Sequence, residues 1–166
     1  IAINKEYQKD YYASINWYKK AITENNNQTD QLNLKNNLAV ALYESDQYNA
    51  SIKILDSLRQ NTVLKNNNPL KAAIIDNLTY AKFLKNKNYN AEKELLEALK
   101  IRIREKLAQM ESQMELNVLS GNADSGKVYS RAKFDPIKAE AEAKLAQEST
   151  TKEELEAVFQ QLEQFK

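Results

Sequence analysis

Apolar residues recur at spacings of three and four along most of this chain, the pattern of helices that each bury one stripe. Residues 34–58, LKNNLAVALYESDQYNASIKILDSL, write two such helices around a polar break, and residues 74–99, IIDNLTYAKFLKNKNYNAEKELLEAL, write the arrangement again. Small and large positions keep step between copies: Ser14, Tyr18 and Ala21 are matched by Ala50, Ile54 and Ser57, then by Ala91, Leu95 and Ala98. Each set follows an aromatic turn, Asp10-Tyr11-Tyr12, Gln47-Tyr48-Asn49 or Asn88-Tyr89-Asn90. Ahead of the second and third turns lies another helix, carrying Leu38-Ala39 with Leu42, and Leu78-Thr79 with Phe83. A small residue lets a partner helix approach and a large one fills the space beside it, so the periodicity predicts an array of helical hairpins. One hairpin cannot bury its apolar face alone, and stacking follows. Only the second helix of the first hairpin is expected, over about residues 9–23 with Trp17 and Tyr18, because residues 1–8 are too few for a partner. The expectation is an array that continues upstream.

From about Asn90 the helical pattern outruns the hairpin, and Leu96, Leu99, Ile103, Leu107, Met110, Met114 and Val118 keep a single stripe for about three heptads. That stripe either packs within the chain or forms a coiled-coil seam for self-association or for a partner. Composition then breaks. Both glycines fall in GNADSG, residues 121–126, and no Asn follows Asn122, although Asn is abundant before it. A linker over 121–134 is expected between a repeat module over 1–120 and a helical hairpin over 135–166. Asp135 and Pro136 suit an N-cap and a first helical position, and Thr151 with Glu154 suits a capping box. Leu155, Val158, Phe159, Leu162 and Phe165 then share one face, a second candidate surface for self-association.

Glycine and proline occur only twice each, too few for a chain of tight β-turns, which strengthens the all-α expectation. With 24 Lys+Arg against 23 Asp+Glu, the chain lacks the positive excess on which phosphate binding relies, so nucleic acid is not an expected partner. It has no Cys and no His, which removes thiol nucleophiles, imidazole bases and their metal sites; no cofactor, metal or enzymatic activity is indicated. The carboxylates at Glu140, Glu142, Glu153, Glu154 and Glu156 read as solvated helix faces. No apolar run approaches the length that spans a bilayer, so membrane insertion is not expected. The compartment is left open, with the cytoplasm favoured.

The paired small positions, the tyrosine turns and the wording of NNLA and AEKELLEALKIR resemble tetratricopeptide repeats, in the long-period form found in kinesin light chains and bacterial sensor and scaffold proteins. The resemblance covers about residues 8–105. Asn-rich loops at 23–30 and 61–69 stand where the family closes its repeats with Pro and account for the long period. It implies an α-solenoid, a tetratricopeptide-like array of antiparallel hairpins, whose concave face binds a peptide or protein. Asn37 and Asn77 match the family's asparagine, which in relatives hydrogen-bonds a bound peptide's backbone; a carboxamide donates and accepts, and so satisfies both peptide groups. Val40 and Tyr80 stand three residues on, and Asn33 and Asp76 are neighbouring candidates. Such a groove holds no Lys or Arg, which argues against a clamp for carboxylate tails. Two other readings stay open: the input portion of a bacterial signalling protein, and a structural subunit whose Leu155–Phe165 face is covered only in a complex.

Overall fold

In the computed structural model, residues 10–66, 68–119 and 131–165 are described. They are all-helical, with no strand among them. The α-helices are α1 (Tyr11–Glu24), α2 (Gln28–Glu44), α3 (Tyr48–Arg59), α4 (Asn68–Lys85), α5 (Glu92–Leu119), α6 (Arg131–Ala146) and α7 (Lys152–Gln164), with a 3-10 turn over Thr62–Asn66. The chain divides into two compact units, residues 1–98 and 99–166, and the division falls inside α5.

Asparagine and aspartate set the junctions. The Asp10 carboxylate accepts the Ala13 N–H at 3.1 Å to start α1, and Asn27 accepts the Asp30 N–H at 3.1 Å to start α2. Each side chain satisfies a backbone donor that a helix start leaves orphaned. Asn25, Asn61, Asn86 and Asn90 accept the N–H two residues on, from Asn27, Val63, Asn88 and Glu92. These local side-chain turns explain how the junctions of the first unit, rich in Asn, are made without Gly. Between α2 and α3 the Gln47 N–H bonds the Leu42 carbonyl and the Asp46 N–H bonds that of Tyr43, with Asp46 at φ 64°. This is a Schellman closure in which a short polar side chain tolerates the left-handed position usually given to Gly.

In the first unit α1 packs on α2, α2 on α3 and α3 on α4, and α2 also meets α4. Helix α2 is apolar on two sides, which is why it is flanked. Leu32, Ala39 and Tyr43 join Leu55, Leu58, Leu64, Leu70, Ile74, Leu78 and Ala81 in one core cluster, while Leu38, Ala41 and Leu42 join Ile15 and Tyr18 in another. Helix α3 lies one residue away from the sequence alignment. Ser14 and Tyr18 are buried as expected, but on α3 the buried residues are Ser51, Leu55 and Leu58, while Ala50 and Ser57 are exposed. The reason is polar. The Ser51 hydroxyl donates to the Ala39 carbonyl at 2.7 Å in the buried α2–α3 contact, a bond Ala50 cannot make. Of the third set Ala98 is buried, whereas Leu95 is among the exposed large apolar side chains. Trp17 is 40% exposed on α1, and residues 1–8 lie outside the described ones.

In the second unit Leu99, Ile103, Leu107, Met110 and Met114 of the expected stripe are buried; Leu96, in the first unit, is half-buried, and the side chain of Val118 lies outside the description. Helices α6 and α7 pack as a hairpin in which Leu155, Val158 and Leu162 are buried, while Phe159 and Phe165 of the same face are half-buried. Ion pairs add to it: Lys106 with Glu163 at 2.9 Å, and Lys138 with Glu111 and Glu142. Glu111 beside Lys138 holds that ammonium above its ordinary pKa. The capping box is present. Thr151 Oγ1 accepts the Glu154 N–H at 3.3 Å, and the Glu154 carboxylate accepts the Thr151 N–H at 2.9 Å. Lys144, hydrogen-bonded to Glu154, keeps that carboxyl below its usual range.

One boundary is corrected. Asp135 is not an N-cap and Pro136 does not open the helix, because α6 already runs at Arg131 and Pro136 sits inside it. Proline removes one intrahelical bond there. Phe134 offsets that loss, being wholly buried with its ring 5.7 Å from that of Phe165. Residues 131–134, expected as linker, are therefore helical, while 121–130 lie outside the described residues.

No helix among the described residues is long and apolar enough to cross a membrane.

Candidate functional site

Two of the residues nominated from the sequence, Asn77 and Tyr80, lie where α2 and α4 run together. Asn36, 8% exposed, falls on the buried stripe Leu32–Asn36–Ala39–Tyr43 of α2, where a carboxamide needs a partner. Asn77 of α4 supplies it, donating through Nδ2 to Asn36 Oδ1 at 3.0 Å. The Tyr43 hydroxyl donates to Asn77 Oδ1 at 3.5 Å, a long bond. Tyr43 also meets Tyr80 edge to face, with ring centroids 5.4 Å apart and planes at 78°. Tyr80 is 47% exposed, so one supported aromatic ring stands in solvent beside a partly buried amide pair.

Tyr48, at the start of α3, donates its hydroxyl to the Asp46 carboxylate. That bond raises the phenol's pKa, since ionisation would lose the donor and set two negative charges together.

The six nominated residues do not act alike. Asn77 and Tyr80 come together with Asn36 and Tyr43. Asn37 is half-buried and, among the described residues, its side chain makes no hydrogen bond. Val40 is half-buried and packs on the first core cluster. Asn33 is exposed, its Nδ2 bonded to the Thr29 carbonyl of its own helix at 3.2 Å, and Asp76 is half-buried. Sequence reasoning missed Asn36 and Tyr43. The available signal was phase: Asn36 stands four residues after Leu32 and three before Ala39, on the core stripe rather than beside it.

Removing Asn77 leaves the Asn36 carboxamide buried and without that partner. Asn77→Ala is expected to lower the stability of the first unit by about 1–3 kcal/mol. The double change Asn36→Leu/Asn77→Leu removes both polar groups and should cost less than the sum of the two single leucine changes. Urea titrations of the four proteins in that leucine cycle measure the coupling; additive costs would mean the bond contributes nothing.

A second polar cluster lies at the junction of α4 and α5. Lys82 sits 5.5 Å from the Tyr89 ring centroid and 3.5 Å from the Glu94 carboxylate, which also accepts the Tyr89 hydroxyl. The lysine thus finds an aromatic partner across the turn. Burial and the Glu94 bond push the Tyr89 phenol up. Burial also pushes Glu94 up, but the Tyr89 bond and Lys82 outweigh it and hold the carboxyl below its ordinary range. A carboxyl lowered by folding stabilises the native state above its unfolded pKa of about 4.3, and that contribution disappears as pH falls through the lower native value. Glu94→Gln should therefore flatten the loss of stability on acidification, read as thermal midpoint between neutral and acid pH. An unchanged acid slope would refute it.

No family model matches the chain, nor does any curated protein or solved structure.

Proposed function

We propose that the chain is a protein–protein interaction module, which holds a peptide or protein partner on the concave face of a tetratricopeptide-like array formed where α2 and α4 meet. The observation that carries this reading is Tyr80, half in solvent yet braced edge-on by Tyr43, at the seam locked by Asn36 and Asn77. A fixed aromatic ring offers large contact area at little entropic cost, the property of binding hot spots. Asn37 adds a carboxamide able to pair with peptide N–H and C=O groups. Asn77 takes a supporting part here, holding the seam rather than reaching the ligand. The succession of contacts α1–α2–α3–α4, with α2 also meeting α4, is consistent with stacked hairpins.

The test is capture from the native host's lysate, read by mass spectrometry, with wild type beside Asn37→Ala/Tyr80→Ala. Both changes are at solvent-facing or half-buried positions, and circular dichroism checks the fold. A partner held by wild type and lost by the variant supports the seam as the working surface. A partner retained equally by both places binding elsewhere and defeats the proposal.

A further inference from the structure

A cleft of about 540 Å³ opens between α1, α2 and α3 within the first unit. Its floor is apolar: Ile22 from α1, Leu32 and Leu38 from α2, Ile54 and Leu58 from α3. Each helix also lends one lysine, Lys19, Lys35 and Lys53 respectively, and no carboxylate lines the cleft. Among the described residues none of these three lysines is in an ion pair, although Lys20, one residue from Lys19, pairs with Glu24. The helical period explains the construction. Lys19 precedes Ile22 by three residues, and Lys35 stands three from both Leu32 and Leu38, so each ammonium rises from the edge of an apolar stripe. Lysine stems line apolar surface while their charged ends seek water, which gives a greasy floor under a positive rim.

From this charge pattern we infer a second recognition site, for an acidic peptide segment of a protein partner that seats a large apolar side chain in the cleft between flanking carboxylates. The cleft is of a size that takes such an anchor. The distribution of charge selects a peptide over a single-headed amphiphile. The ammonium groups come from three different helices, so one head group would leave others unmatched, whereas carboxylates on both sides of an apolar residue answer all of them. Lysine suits this task because it pairs as a mobile point charge, without the fixed fork that arginine demands. The site is independent of Asn37 and Tyr80, which do not line it.

Panning a displayed library of short random peptides on the whole chain tests the inference, with Lys19→Glu/Lys53→Glu panned alongside. Both positions are exposed, so the helices should survive reversal, and circular dichroism verifies it. The expected winners carry Asp or Glu on both sides of a Leu, Phe, Ile or Met. They should bind the reversed variant at least about tenfold more weakly, lose affinity with added salt, and bind Asn37→Ala/Tyr80→Ala as they bind wild type. Winners without acidic flanks, or equal binding to the reversed variant, overturn the inference, as does the absence of any winner. Peptides lost instead by Asn37→Ala/Tyr80→Ala would support the α2–α4 seam and overturn this site. If dodecanoate binds and is lost on reversal while no acidic peptide is selected, the occupant is an anionic lipid and the peptide assignment fails.

Discussion

Leu55→Ala is expected to lower the unfolding free energy of the first unit by about 2–5 kcal/mol, measured by urea titration followed by circular dichroism. Leu55 is wholly buried on α3, in the cluster that joins α2, α3 and α4. Truncation removes the transfer free energy of the lost carbons and leaves a cavity whose walls are helices fixed by other contacts. The loss should also spread. Each helix of the unit is covered by its chain neighbours, so loosening α3 uncovers both α2 and α4. Hydrogen exchange should therefore quicken in all three helices. Protection lost in α3 alone would mean that they are not one cooperative block, and a cost below 1 kcal/mol would mean that the site collapses around alanine.

Phe134→Ala should have a comparable effect on the second unit, about 3–5 kcal/mol, with a distinctive local signature. The turn of α6 before Pro136 lacks the hydrogen bond that proline cannot donate, and the burial of Phe134 against Phe165 offsets that loss. Without the ring, residues 131–135 should unwind and the helix should begin near the proline. Far-ultraviolet circular dichroism would lose about a turn of helix, while Leu155, Val158 and Leu162 remain protected. Retention of the full helix would show that other contacts hold this turn. A companion change, Pro136→Ala, restores the missing N–H and should raise stability in both backgrounds.

These cases indicate what was legible in the sequence. The all-α character, the long helix, its buried stripe from Leu99 to Met114 and the Thr151–Glu154 box follow from local periodicity and capping chemistry, which operate within a few residues. What needed coordinates was set by bonds between distant residues. Ser51 takes the small position of α3 because its hydroxyl reaches a carbonyl on α2, so aligning on alanine selects the neighbouring position. Asn36 is core rather than surface because Asn77, far along the chain, completes it. Pro136 reads as a helix start until the burial of Phe134 is known. Of the nominated surface, Tyr80 and Asn77 do lie together, but their setting depends on Tyr43 and Asn36. The lysine-rimmed cleft left no motif, because its three charges come from three helices.

The asparagine junctions also determine how the molecule ages. Asparagine hydrolyses slowly to aspartate, and at Asn25, Asn27, Asn61, Asn86 and Asn90 the atom that holds the turn is the side-chain oxygen, which aspartate keeps. At Asn27 the new charge would even face the positive end of α2. Where the product is aspartate rather than isoaspartate, whose backbone carries an extra carbon, the turns should stand while the charge moves: two conversions take the formal net charge from +1 to −1. The aspartate products would form a ladder of isoelectric species sharing one fold, each step more repulsive to acidic ligands than the last.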